Sequence, residues 1–244
     1  MRLRALLLLT ALLTVIPGMG AEETVSAFMA DGFDPPLGLV GPKQYYRARG
    51  FRPNGHLGED WNGVGGGDTD LGDPVYNIAH GLVVFARNYK LGWGNVVIIR
   101  HAYLENGQTQ FVDSLYGHLN EILVQEGQQA AKGVKIGTIG NNRGMYDAHL
   151  HFEMRKNIRV GMFRSSFPRD YSIYWDPSEF IAAHRTLAGA GTTAALPINT
   201  FPASAPPVVG APMQQAEAPL VKPSAVPVLR RGGSFKIDRY DDLR

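Results

Sequence analysis

The sequence predicts an all-β protein, built mainly from an antiparallel sheet or a barrel-like sandwich with few short helices. Short runs rich in β-branched and aromatic residues follow one another between residues 73 and 116. Gly, Asn and Pro separate these runs at intervals that are typical of strand connections. Because helical periodicity is scarce along the chain, an antiparallel sheet explains the pattern best.

The composition fits one folded domain with attachments. The chain has 244 residues, and its hydrophobic content of 44% is enough for a core. Its 24 basic and 22 acidic residues give a formal charge of +2, without the basic stripe that phosphate contacts require. Because that stripe is missing, we expect no nucleic-acid partner. Cysteine is also absent, so no disulfide stabilises the fold.

The first 21 residues have the pattern of a cleaved secretory signal peptide. Two arginines, Arg2 and Arg4, precede an apolar run over residues 5–16, and small residues follow at the end of the segment. The run is shorter than the roughly 20 apolar residues that cross a bilayer. The alternative is an uncleaved N-terminal anchor. With cleavage, we expect an exported protein that keeps no transmembrane span.

The remaining elements can be assigned in chain order. A lead-in segment with little regular structure is expected over residues 22–44. The Gly-rich segment 62–70 is expected to be a flexible surface loop, because the Lys-Ser/Thr ending of a phosphate loop is missing. Asn106 and Gly107 predict a hairpin turn. Strands are predicted over residues 73–79, 81–86, 95–101 and 110–116, and short helices over residues 120–123 and 177–185.

A strand that carries candidate functional side chains is predicted over residues 148–154, Ala-His-Leu-His-Phe-Glu-Met. Because side chains alternate along a strand, His149 and His151 share one face, opposite the large apolar residues. Earlier in the chain, His56 and Asp60 stand four residues apart, and His118 follows an apolar run. Imidazole nitrogens and carboxylate oxygens are the ligands that zinc accepts, and a catalytic zinc takes about three of them.

These motifs, in this order, resemble those of the lysostaphin-type zinc metallopeptidases, over roughly Tyr45 to Ala183. The segments that carry the resemblance are His56-Leu57-Gly58-Glu59-Asp60, Gly72-Asp73-Pro74-Val75-Tyr76 with Ala79-His80-Gly81, Trp93-Gly94-Asn95-Val96-Val97-Ile98, Leu115-Tyr116-Gly117-His118-Leu119, Glu126-Gly127-Gln128 and His149-Leu150-His151-Phe152-Glu153. The resemblance implies a Zn²⁺-dependent endopeptidase that cuts peptide cross-links of bacterial peptidoglycan. It implies that His56, Asp60 and His151 hold the metal and that His118 and His149 are catalytic.

The resemblance also sets the expected partner and place of action. The partner would be the peptide stems of peptidoglycan, and a protein regulator is left open. The cross-link expected first is the D-alanyl-diaminopimelyl bridge of a Gram-negative periplasm, with a glycine bridge second. The competing function is a catalytically silent envelope module that binds or regulates other murein hydrolases. Relatives of that kind are expected to lack one or more ligands, whereas all five polar positions are present in this chain.

Two carboxylates near these motifs invite expectations of their own. Glu153 lies on the histidine face of its strand by alternation, so it either orients a histidine or is a plain edge carboxylate. Glu59 stands where the family usually has an aliphatic residue, which we interpret as a sign that this position is exposed.

The chain after the motifs changes in composition. The zinc peptidase domain is expected over residues 45–185, followed by a disordered Pro/Ala-rich linker or tail over residues 186–229. Residues 230–244 form a charged C-terminal end.

Overall fold

Strands make up nearly all the regular structure of the residues that the structure describes. The computed structural model describes residues 23–38, 43–51, 55–89, 92–162 and 171–202. Within those residues it has the following elements: β1 (Thr24–Phe28), β2 (Tyr45–Arg49), β3 (Glu59–Gly63), β4 (Pro74–Tyr76), β5 (Gly81–Asn88), β6 (Asn95–Glu105), β7 (Gln108–Ile122), β8 (Gln129–Ala130), β9 (Lys135–Ile139), β10 (Leu150–Arg155), β11 (Tyr174–Trp175), α1 (Pro177–Ala183) and β12 (Thr193–Pro197).

Ten of the strands form a single antiparallel sheet. Its main path runs β2-β3-β10-β7-β6-β5-β8, while β11 pairs with β10, and β9 joins β4 to β7. Across the described residues the sheet does not close into a barrel. The prediction of an all-β, mainly antiparallel fold is therefore confirmed. No helix in the described part of the chain is long and apolar enough to span a membrane.

The longest pairing in the sheet is the β6–β7 hairpin. Its ends are set by Glu105 opposite Gln108, with Asn106 and Gly107 between them. Both turn residues have positive φ, 51° and 76°. A two-residue turn of this kind matches the right-handed twist of its strands, and Asn-Gly is the pair that adopts it most easily. The hairpin predicted from these two residues is confirmed.

The two predicted helices have different outcomes. The C-terminal one is confirmed as α1, whose first turn is capped by Asp176, because the Glu179 N–H donates to its side chain over 3.1 Å. The helix over residues 120–123 is wrong. Glu121 and Ile122 continue β7 and pair with Thr138 and Gly137 of β9, so sheet pairing decides the backbone there.

The lead-in segment and the start of the Pro/Ala-rich segment are more regular than predicted. The two segments pair with each other as a separate two-stranded sheet, β1 with β12. Ala27 and Leu196 of this pair are buried against Leu82 and Ala102 of the main sheet. Each strand is too short to stand out in the sequence, and it gains order only from a partner distant in the chain. Residues 1–22 and 203–244, with the signal segment, most of the tail and the charged end, lie outside the described residues.

The largest cluster of the hydrophobic core lies against one face of the sheet, and the site lies on the other. This cluster takes Val97 and Ile99 from β6, Leu150 and Phe152 from β10, and Phe180 from α1. Because side chains alternate along a strand, His151, Glu153 and Arg155 of β10 point to the opposite face. That second face of β10 is also buried, which is unusual for polar side chains unless they are paired.

Candidate metal centre

Strand register brings the first polar pair together. Asp60 on β3 lies directly opposite His151 on β10, and His151 lies opposite Gly117 on β7. His56 reaches the same point from the segment just before β3. Between His56 and Asp60, Gly58 lies against β10 so closely that an added Cβ would be 2.2 Å from the backbone oxygen of Phe152. Glycine therefore allows the two chain segments to approach as they do.

His56, Asp60 and His151 form a buried three-residue cluster. Their ligand atoms all lie within 4.8 Å of one another. His56 Nε2 and His151 Nδ1 are 3.1 Å apart, and Asp60 Oδ1 is 3.1 Å from the first nitrogen and 2.9 Å from the second. Neighbouring ligand atoms of a tetrahedral zinc with bonds of about 2.05 Å would be separated by about 3.3 Å. The cluster has the size and the donor types of a metal site.

The ring nitrogens of His56 and His151 that point away from the cluster, here called the outer nitrogens, show whether the cluster can accept a cation. His56 Nδ1 lies 2.9 Å from the carbonyl oxygen of Gly50, and His151 Nε2 lies 2.9 Å from Glu153 Oε1. Both partners are acceptors, so each outer nitrogen carries the proton. The inner nitrogens both face Asp60 Oδ1, and a bound cation would displace the protons they share with it, so that both lone pairs point at one ion. The three residues therefore fit a metal ion.

The charges of the cluster depend on each other. Burial by itself would raise the pKa of Asp60, but hydrogen bonds with His151 and His56 hold it well below its usual value. Burial by itself would lower the pKa of His151, but hydrogen bonds with Asp60 and Glu153 raise it to about 9. An ionised carboxylate beside the two imidazoles provides the negative charge that a divalent cation needs.

A row of buried charged groups continues from the cluster across the sheet. Glu153 accepts from Arg155 Nε over 2.6 Å through its second oxygen. On β6 and β7, Arg100 forms a bidentate pair with Asp113, with both distances 2.8 Å. Carboxylates and guanidinium groups alternate along the row, so no charge is buried without a partner. Glu153 thus contacts the candidate ligand His151, the first of the two roles considered from the sequence.

His118 lies beside the cluster because its backbone leaves the regular strand. Its φ is 63°, an uncommon conformation for a residue with a side chain. The backbone N–H donates to Trp93 O over 3.0 Å, and Nδ1 lies 3.2 Å from the same oxygen. These contacts turn the imidazole toward His151, with ring centroids 5.4 Å apart. A strained backbone that is held in place by its surroundings is common at functional sites.

His149 completes the group of five polar residues singled out in the sequence. Its Nδ1 lies 2.8 Å from the carbonyl oxygen of Asp147, and its Nε2 lies 3.9 Å from Asp60 Oδ1. The ring centroid is 4.8 Å from that of His118. Both histidines therefore donate through Nδ1, and both rings lie beside the three-residue cluster.

Residues not singled out as ligands or catalytic groups also contribute. Tyr146 contacts the two histidines outside the three-residue cluster, with ring centroids 4.6 Å from His118 and 5.0 Å from His149. The Gly-rich loop contributes Asp68, which accepts from the backbone N–H of Ala148 over 2.8 Å and so connects the loop to the start of β10. Neither residue has a sequence motif that announces it, because each contact depends on how two loops fold.

Glu59 is not exposed, contrary to the expectation from the sequence. Only 1% of its surface is accessible, and its carboxylate accepts from Arg47 Nη1 at 2.8 Å, Trp61 Nε1 at 3.0 Å and Ser178 Oγ at 2.9 Å. Three donors satisfy the buried charge, which is why an acidic residue is tolerated at this position. Glu59 thereby joins β2, β3 and α1 behind the candidate ligand Asp60.

Comparison with known proteins identifies the family. Residues 57–160 match Peptidase family M23. The chain is 38% identical over 86 residues to the lipoprotein NlpD of Yersinia enterocolitica, a match that covers 34% of this chain and 78% of that protein. The chain belongs to peptidase family M23. The resemblance seen in the sequence motifs is thus confirmed at the level of the family.

Two further relatives have names with different functional meanings. The chain is 34% identical over 119 residues to the peptidoglycan DD-endopeptidase ShyA of Vibrio cholerae, covering 48% of this chain and 26% of ShyA. It is 38% identical over 86 residues to the murein hydrolase activator NlpD of Escherichia coli, covering 34% of this chain and 20% of that protein. The chain therefore spans about a quarter of the length of ShyA and a fifth of the length of the Escherichia coli relative.

Proposed function

We propose that the chain is a zinc-dependent endopeptidase that hydrolyses peptide cross-links of bacterial peptidoglycan. The observation that carries this proposal is the buried cluster of His56, Asp60 and His151 with two further histidines beside it. Three protein ligands leave a position open for water and substrate, which is how catalytic zinc sites differ from structural ones. The name of ShyA supports peptidoglycan as the substrate class.

The roles of the residues follow from their protonation. His56, Asp60 and His151 would hold the ion, which when bound supplies a Lewis acid for water and for the scissile carbonyl. His118 is neutral at physiological pH, because burial holds its pKa well below the usual value. Its Nε2 lone pair can accept a proton from the attacking water, and the resulting imidazolium can donate that proton to the leaving amine.

His149 is placed for a parallel task. Its Nδ1 is occupied by Asp147 O at 2.8 Å, so only Nε2 is available to the reacting atoms. That atom can exchange a proton with the nucleophile or the leaving group. The two imidazoles contact each other, with ring centroids 4.8 Å apart, so both can serve a reaction that moves a proton from water to an amine.

The proposal includes a place of action. A bond of the D-alanyl-diaminopimelyl type in the cell envelope is the substrate favoured here, in the periplasm or outside the cell after removal of residues 1–21. Mass spectrometry of cross-linked muropeptides before and after incubation tests this. Conversion of cross-linked dimers to monomers supports the proposal, and cleavage of glycine-bridged material alone would replace the favoured bond with the second one.

A second candidate function is regulation of other murein hydrolases without catalysis. It is favoured by the relative from Escherichia coli, whose name is murein hydrolase activator. The two functions differ in one measurable respect, since an activator needs a partner hydrolase to release material from peptidoglycan. Release by the purified chain alone, abolished in His151→Ala, supports the endopeptidase. Release only when a hydrolase is added, and to the same extent with His151→Ala, supports the activator.

A further inference from the structure

Tyr146 connects the loop before β10 to the catalytic side of the site. Its hydroxyl oxygen lies 2.6 Å from His118 Nδ1 and 3.0 Å from the carbonyl oxygen of Gly92. Its ring also packs against His149. The residue therefore contacts both imidazoles outside the metal cluster, and it does so from a loop that no catalytic motif includes.

The direction of each hydrogen bond follows from counting protons. A phenol has one proton, and the carbonyl oxygen of Gly92 can only accept it. Tyr146 must then accept from His118, whose Nδ1 carries the hydrogen. The carbonyl of Trp93 at 3.2 Å accepts the same N–H but over a longer distance. The phenol is the nearer of the two acceptors that hold this tautomer.

The loop that carries Tyr146 is held in an uncommon conformation. Three consecutive residues, Asn142, Arg143 and Gly144, have positive φ values of 46°, 62° and 79°. The side chain of Asn141 accepts from the Gly144 N–H over 3.0 Å, which ties the turn together. Left-handed backbone at non-glycine residues costs free energy and persists where the surrounding structure fixes it. The placement of the phenol is therefore set by the loop rather than by chance side-chain rotation.

We propose that Tyr146 is a positioning residue for His118, an inference that rests on the endopeptidase proposed above. By accepting from Nδ1–H, the phenol fixes both the tautomer and the rotation of the imidazole, so that the Nε2 lone pair faces the reacting atoms. A ring turned by 180° would place a carbon against the phenol oxygen and lose this bond. The gain is preorganisation of a proton acceptor, which acts on turnover rather than on metal binding.

The test compares Tyr146→Phe with Tyr103→Phe in the purified, zinc-loaded chain. The first variant keeps the ring and removes the hydroxyl that contacts His118. The second removes a hydroxyl from a buried tyrosine that packs against Phe33 and Phe180, away from the site. Proton NMR follows the imidazole N–H resonance of His118, assigned by its absence in His118→Gln. Steady-state cleavage gives kcat and KM, and metal analysis gives zinc content.

We expect Tyr146→Phe to move the His118 N–H resonance upfield and to lower kcat by about three- to tenfold, the effect of one neutral hydrogen bond. KM and zinc content should stay as in the wild type, and Tyr103→Phe should change none of these. An unchanged resonance in Tyr146→Phe would overturn the proposal, whatever happens to kcat. A shifted resonance in a chain without cleavage would support the positioning role and reject the endopeptidase.

Discussion

His101 makes a contribution to the free energy of unfolding that is lost at acid pH. The side chain is fully buried in β6, where Nδ1 donates to His80 O over 3.0 Å and Nε2 accepts from Ser114 Oγ over 2.8 Å. Burial lowers the pKa of His101 from 6.5 to about 4. The neutral form suits this site, because a protonated ring would lose its acceptor at Nε2 and place a charge in the core.

The sign and size of the effect follow from linkage. Below pH 6.5 the unfolded chain takes up a proton at this residue, while the folded chain does not until about pH 4. The free energy of unfolding therefore falls as the pH is lowered through this window, by about 1.4 kcal/mol per pH unit. The full contribution is present above pH 6.5 and amounts to about 3 kcal/mol.

Urea unfolding of the wild type and His101→Gln measures this contribution. Glutamine offers one donor and one acceptor to the same neighbours but does not titrate. Other groups, among them Asp60, also respond to acid, so the quantity of interest is the difference between the two pH profiles. We expect the free energy of unfolding of the wild type to fall, relative to that of His101→Gln, by about 1.4 kcal/mol per pH unit between pH 6.5 and about pH 4.5. Parallel profiles would refute the assignment of a neutral, buried His101.

Three other predictions concern the site. His118→Gln and His149→Gln should each lower kcat by roughly 10²- to 10⁴-fold with zinc content unchanged, because neither residue holds the ion; metal analysis that finds zinc lost in either variant would argue against this division of roles. Glu153→Gln should weaken zinc binding by roughly 10- to 100-fold in a competition titration with a chelator, since the carboxylate orients a ligand; equal affinity would show that it does not. Gly58→Ala should lower the free energy of unfolding by about 1–3 kcal/mol in urea, while Gly50→Ala, whose added Cβ meets nothing closer than 3.8 Å, serves as its control.

Local patterns were enough to predict the parts of the fold that depend on neighbouring residues. The hairpin at Asn106 and Gly107 and the helix after Asp176 follow from turn and capping chemistry, which acts over a few residues. The alternation in the strand predicted over residues 148–154 placed His149 and His151 on one side before the partner strands were known. Which residues lie across from them could not be deduced in this way, because register is a property of two strands.

The errors share one physical cause, which is pairing between distant segments. Glu121 and Ile122 have a short sequence compatible with a helix, but β9 supplies hydrogen bonds that favour a strand. The segments that became β1 and β12 have weak patterns, and each is ordered by the other. Glu59 looked exposed because a carboxylate usually is, and its three donors come from separate elements. Tyr146 was missed for the same reason, since its contact with His118 depends on the conformation of an entire loop.

The central claim is that His56, Asp60 and His151 hold a zinc ion that the chain uses to cut peptidoglycan. The most direct measurement is zinc content of the purified chain, of His56→Ala and of His151→Ala, alongside release of free amines from peptidoglycan with and without a chelator. We predict about one zinc per wild-type chain, loss of that zinc in both variants, and amine release that the chelator abolishes. Two results would contradict this claim. One is that the variants keep wild-type zinc content and amine release, and the other is that the wild type shows no zinc and no amine release.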